Sequence, residues 1–107
     1  MVAVETFRQM ALSMPGSVEL PHFDKASFRV NKKIFATLDT KTKKVCLLLN
    51  EVDQSVFTSF DKTIIYPVPN KWGNRGATYV ELLKVRRSML KDAVSMAYQN
   101  IAKVNRK

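Results

Sequence analysis

Cysteine, histidine, tryptophan and glycine are all scarce in this chain, and each scarcity removes a class of explanation. A single cysteine leaves no intrachain disulfide and fits a reducing, cytoplasmic setting. The one histidine, His22, stands in a loop far in sequence from Cys46, so no metal-ligand spacing is visible and no metal or other cofactor is expected. No apolar run approaches the roughly 18 residues that cross a bilayer, which argues against a membrane partner. The N-terminus, MVAVETFRQM, sets Glu5 and Arg8 inside an amphipathic pattern and lacks the basic-then-apolar layout of a signal peptide. With three glycines and four prolines there is no low-complexity tract and no linker. Residues 1–107 read as a single domain.

Acidic residues are also few. Nine Asp and Glu accompany eighteen Lys and Arg, leaving a net charge of +9. From Lys71 to Lys107 the sequence holds nine basic residues and two acids, Glu81 and Asp92. Such an excess attracts polyanions but carries no information about fold. What is plentiful is apolar: 46% of the residues, including six Phe, enough to bury a core.

The stretch that organises the rest is Ser27 to Leu49, SFRVNKKIFATLDTKTKKVCLLL. Three β-favouring runs are separated there by polar, lysine-rich breaks at 31–33 and 40–43, the pattern of an antiparallel meander. A three-residue loop at 31–33 sets Ala26, Phe28, Val30, Ile34, Ala36 and Leu38 on one face. A two-residue loop mixes Ile34 and Ala36 with Arg29 and Ser27 instead. Burial favours the three-residue loop, because a slip of one residue moves the whole apolar set to the other side. It leaves Arg29 and Phe35 on the opposite face, where Phe35 is either covered by a loop or helix or free to stack with Arg29 on a partner. Val45 to Leu49 is apolar on both faces and reads as an interior strand, with Cys46 a small buried hydrophobe.

Helical periodicity flanks the meander. Val4, Phe7, Met10, Ala11 and Met14 form a stripe ended by Pro15-Gly16. Ser17 to Lys25 reads as a loop. Val52, Val56, Phe57 and Phe60 share one face of a helix over 50–60, capped by Asn50 or Asp53. Ile64 to Tyr66 is a short strand that Pro67 and Pro69 end or confine to an edge. A glycine-punctuated loop, Asn70 to Ala77, holds the lone Trp72, and a strand over 78–82 follows it. Leu90, Ala93, Val94, Ala97, Tyr98, Ile101 and Val104 mark a closing helix over 86–104, with a basic tail at Lys103, Arg106 and Lys107. Phe28, Ile34, Ala36, Leu47, Phe57, Leu90 and Ile101 are the expected core.

Chemistry-bearing residues are basic or aromatic. The hairpin turns offer Lys32 with Lys33, and Lys41 with Lys43 and Lys44; Arg29 lies between them. The glycine loop offers Lys71, Trp72 and Arg75, which could hold a phosphate and stack a base, or whose Trp could seal the core edge. Its G-x-x-G lacks the Lys-Ser/Thr and the following helix of a phosphate-binding loop. Paired carboxylates, an activated nucleophile and a metal set are all missing from the pattern, so no catalytic residues are assigned and no enzyme is expected.

The order helix, Met14-Pro15-Gly16, Ser27-Phe28-Arg29-Val30, Lys33-Ile34-Phe35-Ala36-Thr37-Leu38, Trp72-Gly73 with Gly76 and Thr78, and a closing helix resembles the MmcQ/YjbR-like family of small bacterial proteins. Lys32 stands where such hairpins often carry Gly after Asn, and Ala77 where a second aromatic often follows the loop glycine. The resemblance implies a CyaY-like α+β fold. An antiparallel meander sheet of four to five strands would carry an N-terminal helix, a short middle helix and a long C-terminal helix. It also implies a DNA-binding label that rests on shape alone. The combined expectation is a basic, non-enzymatic domain that binds DNA or RNA weakly through phosphates with its lysine-tipped turns. The alternative is a protein- or small-ligand-interaction domain whose charge serves solubility.

Overall fold

The structure, a computed structural model, describes residues 1–102; Val104 and the basic tail lie outside the described residues. Four helices and six strands follow one another as α1 (Val4–Leu12), β1 (Val18–His22), β2 (Lys25–Val30), β3 (Lys33–Asp39), β4 (Lys44–Leu48), α2 (Glu51–Thr58), β5 (Ile65–Pro67), α3 (Lys71–Asn74), β6 (Ala77–Glu81) and α4 (Arg87–Ala102). The strands form one antiparallel sheet in the order β1-β2-β3-β4-β6-β5. The architecture is the expected α+β meander, with one strand more than the four to five expected. The addition is β1, whose Pro21 and exposed Val18 and Leu20 suit an edge that accepts only one neighbour.

One face of the sheet carries the core. Phe7 and Ala11 of α1 and Leu90, Ala93, Val94 and Ala97 of α4 lie on Phe28, Ala36, Leu38, Val45, Leu47 and Val80, all fully or almost fully buried. Phe7 meets Phe28 edge to face at 5.3 Å. Arg8 clasps Glu19 through Nε and Nη2 and ties α1 to the sheet edge. Phe28, Ala36, Leu47 and Leu90 are buried as expected, whereas Ile34, Phe57 and Ile101 are half-buried. In α2 the apolar stripe points outward: Val52, Val56 and Phe60 are exposed and only Phe57 packs against the core.

The β2–β3 hairpin corrects the expected register and explains why both loop lengths looked reasonable. Its turn is the two-residue one, with Asn31 at φ 53° and Lys32 at φ 68°, the left-handed pair of a tight hairpin turn. Next to the turn Val30 pairs with Lys33 and Arg29 with Ile34. Further along, Phe28 pairs with Ala36 and Ala26 with Leu38, the pairing of the three-residue alternative. A bulge at Phe35 absorbs the difference, since one extra residue on a strand shifts the register by one. Phe35 therefore leaves the face it would share with Arg29 and is fully buried, edge to face with Tyr98 of α4 at 5.6 Å. Burying Phe35 outweighs the loss of regular pairing around it.

The scarce glycines are not at the hairpin tips. Phe23, Lys32 and Lys43 each occupy a left-handed conformation in the β1–β2, β2–β3 and β3–β4 turns, where glycine is the unstrained choice. Gly73 and Gly76 serve a different need. A Cβ on Gly73 would fall 1.8 Å from the Val68 carbonyl oxygen, and one on Gly76 1.7 Å from that of Leu49. The G-x-x-G is thus a pair of close backbone approaches that press α3 onto the sheet. Gln54 fixes the same loop by donating to the carbonyls of Gly73 and Ala77.

Candidate functional site

The second face of the sheet has no helix lying over it among the described residues. Because side chains alternate along a strand, the residues between the core positions all arrive there. They are Leu20 and His22 from β1, Lys25, Ser27 and Arg29 from β2, Thr37 and Asp39 from β3, Lys44, Cys46 and Leu48 from β4, and Tyr79 and Glu81 from β6; Tyr66 of β5 pairs with Tyr79. A cleft of about 400 Å³ crosses this face. Tyr79, Cys46 and Thr37 line its floor, Phe23 of the β1–β2 turn and Lys25 of β2 line one side, and Asn70 and Trp72 the other. A smaller hollow of about 160 Å³ shares that floor and extends it to Asp39 and Lys44.

Lys44 is the best-anchored cation here. Its ammonium lies 5.1 Å from the Tyr79 ring centre, 5.9 Å from that of Tyr66 and 3.9 Å from a Glu81 carboxylate oxygen. The adjacent Tyr66 hydroxyl, then Glu81, hold its pKa above the ordinary lysine value. It is therefore a fixed positive charge and not a nucleophile. Tyr66 donates to Glu81, and burial first, then that hydrogen bond, push its hydroxyl above the ordinary range. Burial likewise lifts the Cys46 thiol to about 11. Cys46 is nevertheless only half-buried, on the cleft floor and not in the core.

The other expected contact residues fall into three groups. Arg29 is on the open face, half-buried, donating from Nε to Ser27 Oγ at 3.0 Å. Its neighbour across the strand is Ile34, not Phe35. Lys32 and Lys33 occupy one end of β3, and Lys41 and Lys43 the other, about 20 Å away for the six steps along this seven-residue strand at 3.3 Å each. At the second tip Asp39 Oδ1 accepts from the backbone N–H groups of Lys41 and Thr42, which keeps its carboxyl below the usual range and shapes the turn. Lys71 and Trp72 belong to α3, not to an irregular loop, and Arg75 is its C-cap; Asn70 caps the other end by accepting from Trp72 N–H. Arg75 stacks over Trp72, 5.7 Å from the ring centre, and Trp72 is 57% exposed, so it does not seal the core. Apart from Lys44, none of these basic residues has a carboxylate within 4.0 Å among the described residues.

Phe23, Lys25 and Tyr79 were not singled out from sequence, yet they line the cleft. The signal was available for two of them: Lys25 is in phase with Arg29, and Tyr79 is out of phase with Thr78 and Val80. His22 packs edge to face on Phe23 at 4.9 Å, and no group of three or more His, Cys, Asp and Glu able to hold a metal forms among the described residues.

A sheet with its long helices packed on one face and an aromatic-lined cleft on the other defines a small α+β scaffold. This chain belongs to the YjbR family, whose profile matches residues 12–100. Its fold is similar to the crystal structure of Deinococcus radiodurans protein DR2400, described as a DUF419 domain. That likeness has a TM-score of 0.78 at 18% identity, over 96% of this chain and 80% of the other, and it concerns fold alone. No curated protein matches the chain.

Proposed function

We propose that this protein is a cytoplasmic, non-enzymatic module that binds nucleic acid through phosphates, with the open sheet face and its turn lysines as the contact surface. One observation carries the reading. Seven of the eight basic residues assigned to contact, Arg29, Lys32, Lys33, Lys41, Lys43, Lys71 and Arg75, have no carboxylate partner among the described residues, and they border a face without a helix over it. Unpaired surface cations spread along about 20 Å match the spacing of several backbone phosphates better than any single small anion. Keeping Lys32 and Lys43 at left-handed turn positions, where glycine relieves strain, fits a role for the charge itself.

Binding to a mixed panel of DNA and RNA at two salt concentrations tests the reading. The expected result is non-specific affinity that falls steeply with salt. Neutralising Lys32 with Lys33, or Lys41 with Lys43 and Lys44, flattens the salt slope by roughly one unit per lost contact. Absence of affinity even at low salt overturns it. A second reading, an interaction domain for another protein, is favoured by the outward stripe of Val52, Val56 and Phe60 on α2. It takes over if charge neutralisation leaves binding untouched and changes at that stripe abolish it.

A further inference from the structure

The most exposed large hydrophobic side chain among the described residues is Phe23, 93% accessible at the tip of the β1–β2 turn. It is also one of four non-glycine residues with positive φ among the described residues, at 59°. A bulky aromatic in that conformation is an outlier that costs stability, and full exposure returns nothing to the fold. Across the cleft stands Trp72, 57% exposed, held by the α3 cap and with Arg75 over its ring. Tyr79 supplies a third ring on the floor between them, and Lys25, ion-paired with Asp24 at 3.6 Å, lies beside Phe23. None of the residues lining the cleft is acidic.

From this geometry we infer that the cleft is a stacking clamp for a single strand, with Phe23 and Trp72 as its two jaws, at least three strand spacings apart and each stacking its own unpaired base. The inference rests on the nucleic-acid reading above and narrows it to single strands. Planar, apolar-faced and hydrogen-bonding bases fit a ring on each side and a floor carrying the Thr37 and Tyr79 hydroxyls. Phosphates flanking the bases would meet Lys25 on one side and Lys71 or Arg75 on the other. A duplex keeps its bases stacked on one another and offers the jaws nothing. Stacking tolerates every base, because each has a π-face, so little sequence preference accompanies it.

Trp72 is the only tryptophan, so its fluorescence reports on the site directly. Titration with eight-residue oligothymidylate or oligouridylate is expected to quench it, whereas an abasic strand of equal length and charge is not. Phe23→Ala and Phe23→Leu should each weaken single-strand affinity about 5- to 150-fold, the range for one lost base stack. Both should leave affinity for the abasic strand and for duplex unchanged. Equal binding of thymidylate and abasic strands, or Phe23→Leu binding as the parent does, overturns the clamp while the phosphate reading stands. Silence from all strands at low salt overturns both.

Discussion

The two faces of this sheet are made by the same strands, yet they obey different rules. On the covered face nearly every position is apolar and fully buried: Phe28, Ala36, Leu47 and Val80 under α1 and α4. On the open face the alternate positions are cationic, hydroxylated or aromatic, and most are only partly buried. Strand β4 shows both in consecutive residues, with Lys44, Cys46 and Leu48 outward and Val45 and Leu47 inward. Stability is therefore concentrated on one side, which leaves the other free to carry charge and strain. Glycines follow the same division. Gly73 and Gly76 sit where backbones must touch, while the turns that rim the open face hold Phe and Lys in conformations that glycine would fill more cheaply.

Substitution within β4 tests that division most severely. Leu47→Ala should cost about 2 to 5 kcal/mol, because a fully buried leucine leaves a cavity under α4. Cys46→Ala, one residue away, should cost about 1 kcal/mol or less, since it removes one sulfur from the open face. Denaturant unfolding of the two variants measures the contrast, and equal costs would show that the open face is part of the core after all.

The alkaline pH dependence of stability should also come from the open face. Lys44, Tyr66 and Cys46 all have pKa values raised in the folded protein, Cys46 from 9.0 to about 11. A raised folded value means stability that is complete below the ordinary value and lost as pH rises through the folded one. Asp39 and Asp61 are held low by hydrogen bonds from Thr42 and Thr63, so their contribution is lost only as pH falls below about 4. The expected melting temperature is level between about pH 5 and 9 and declines beyond both limits. A melting temperature that stays flat from pH 8 to 11 would show that the three groups do not sense folding.

The smallest expected effect is the sharpest test of strain at the rim. Phe23→Gly removes an exposed ring and a left-handed penalty of about 1 to 2 kcal/mol, but adds about 0.5 to 1 kcal/mol of chain entropy. The fold should be unchanged or more stable by up to about 1 kcal/mol, read by thermal or denaturant unfolding. A loss larger than that would mean that Phe23 supports the fold, through its contact with His22 or otherwise.

The sequence by itself was enough for whatever depends on neighbouring residues. Period-two alternation from Ala26 to Leu38, the apolar Val45–Leu49, the stripe of the closing helix and the edge position of Ile65–Pro67 all follow from local pattern. Strand β1 was missed because Val-Glu-Leu-Pro-His alternates weakly and buries almost nothing, so burial left little mark on its composition. The outward stripe of α2 could not be foreseen either. Periodicity tells which residues share a helix face, and only packing decides where that face points. The bulge at Phe35 and the framing of the cleft belong wholly to the tertiary structure. A two-residue turn and a continuous apolar face demand different registers, and the demand of Phe35 for a place against Tyr98, far along the chain in α4, settles the conflict. The cleft, in turn, exists because β6 lies between β4 and β5, which sets Tyr79 beside Cys46 and holds Trp72 across the face from Phe23. Contacts between residues so distant in sequence leave no periodic trace, because each side chain meets its partner only after the sheet has closed.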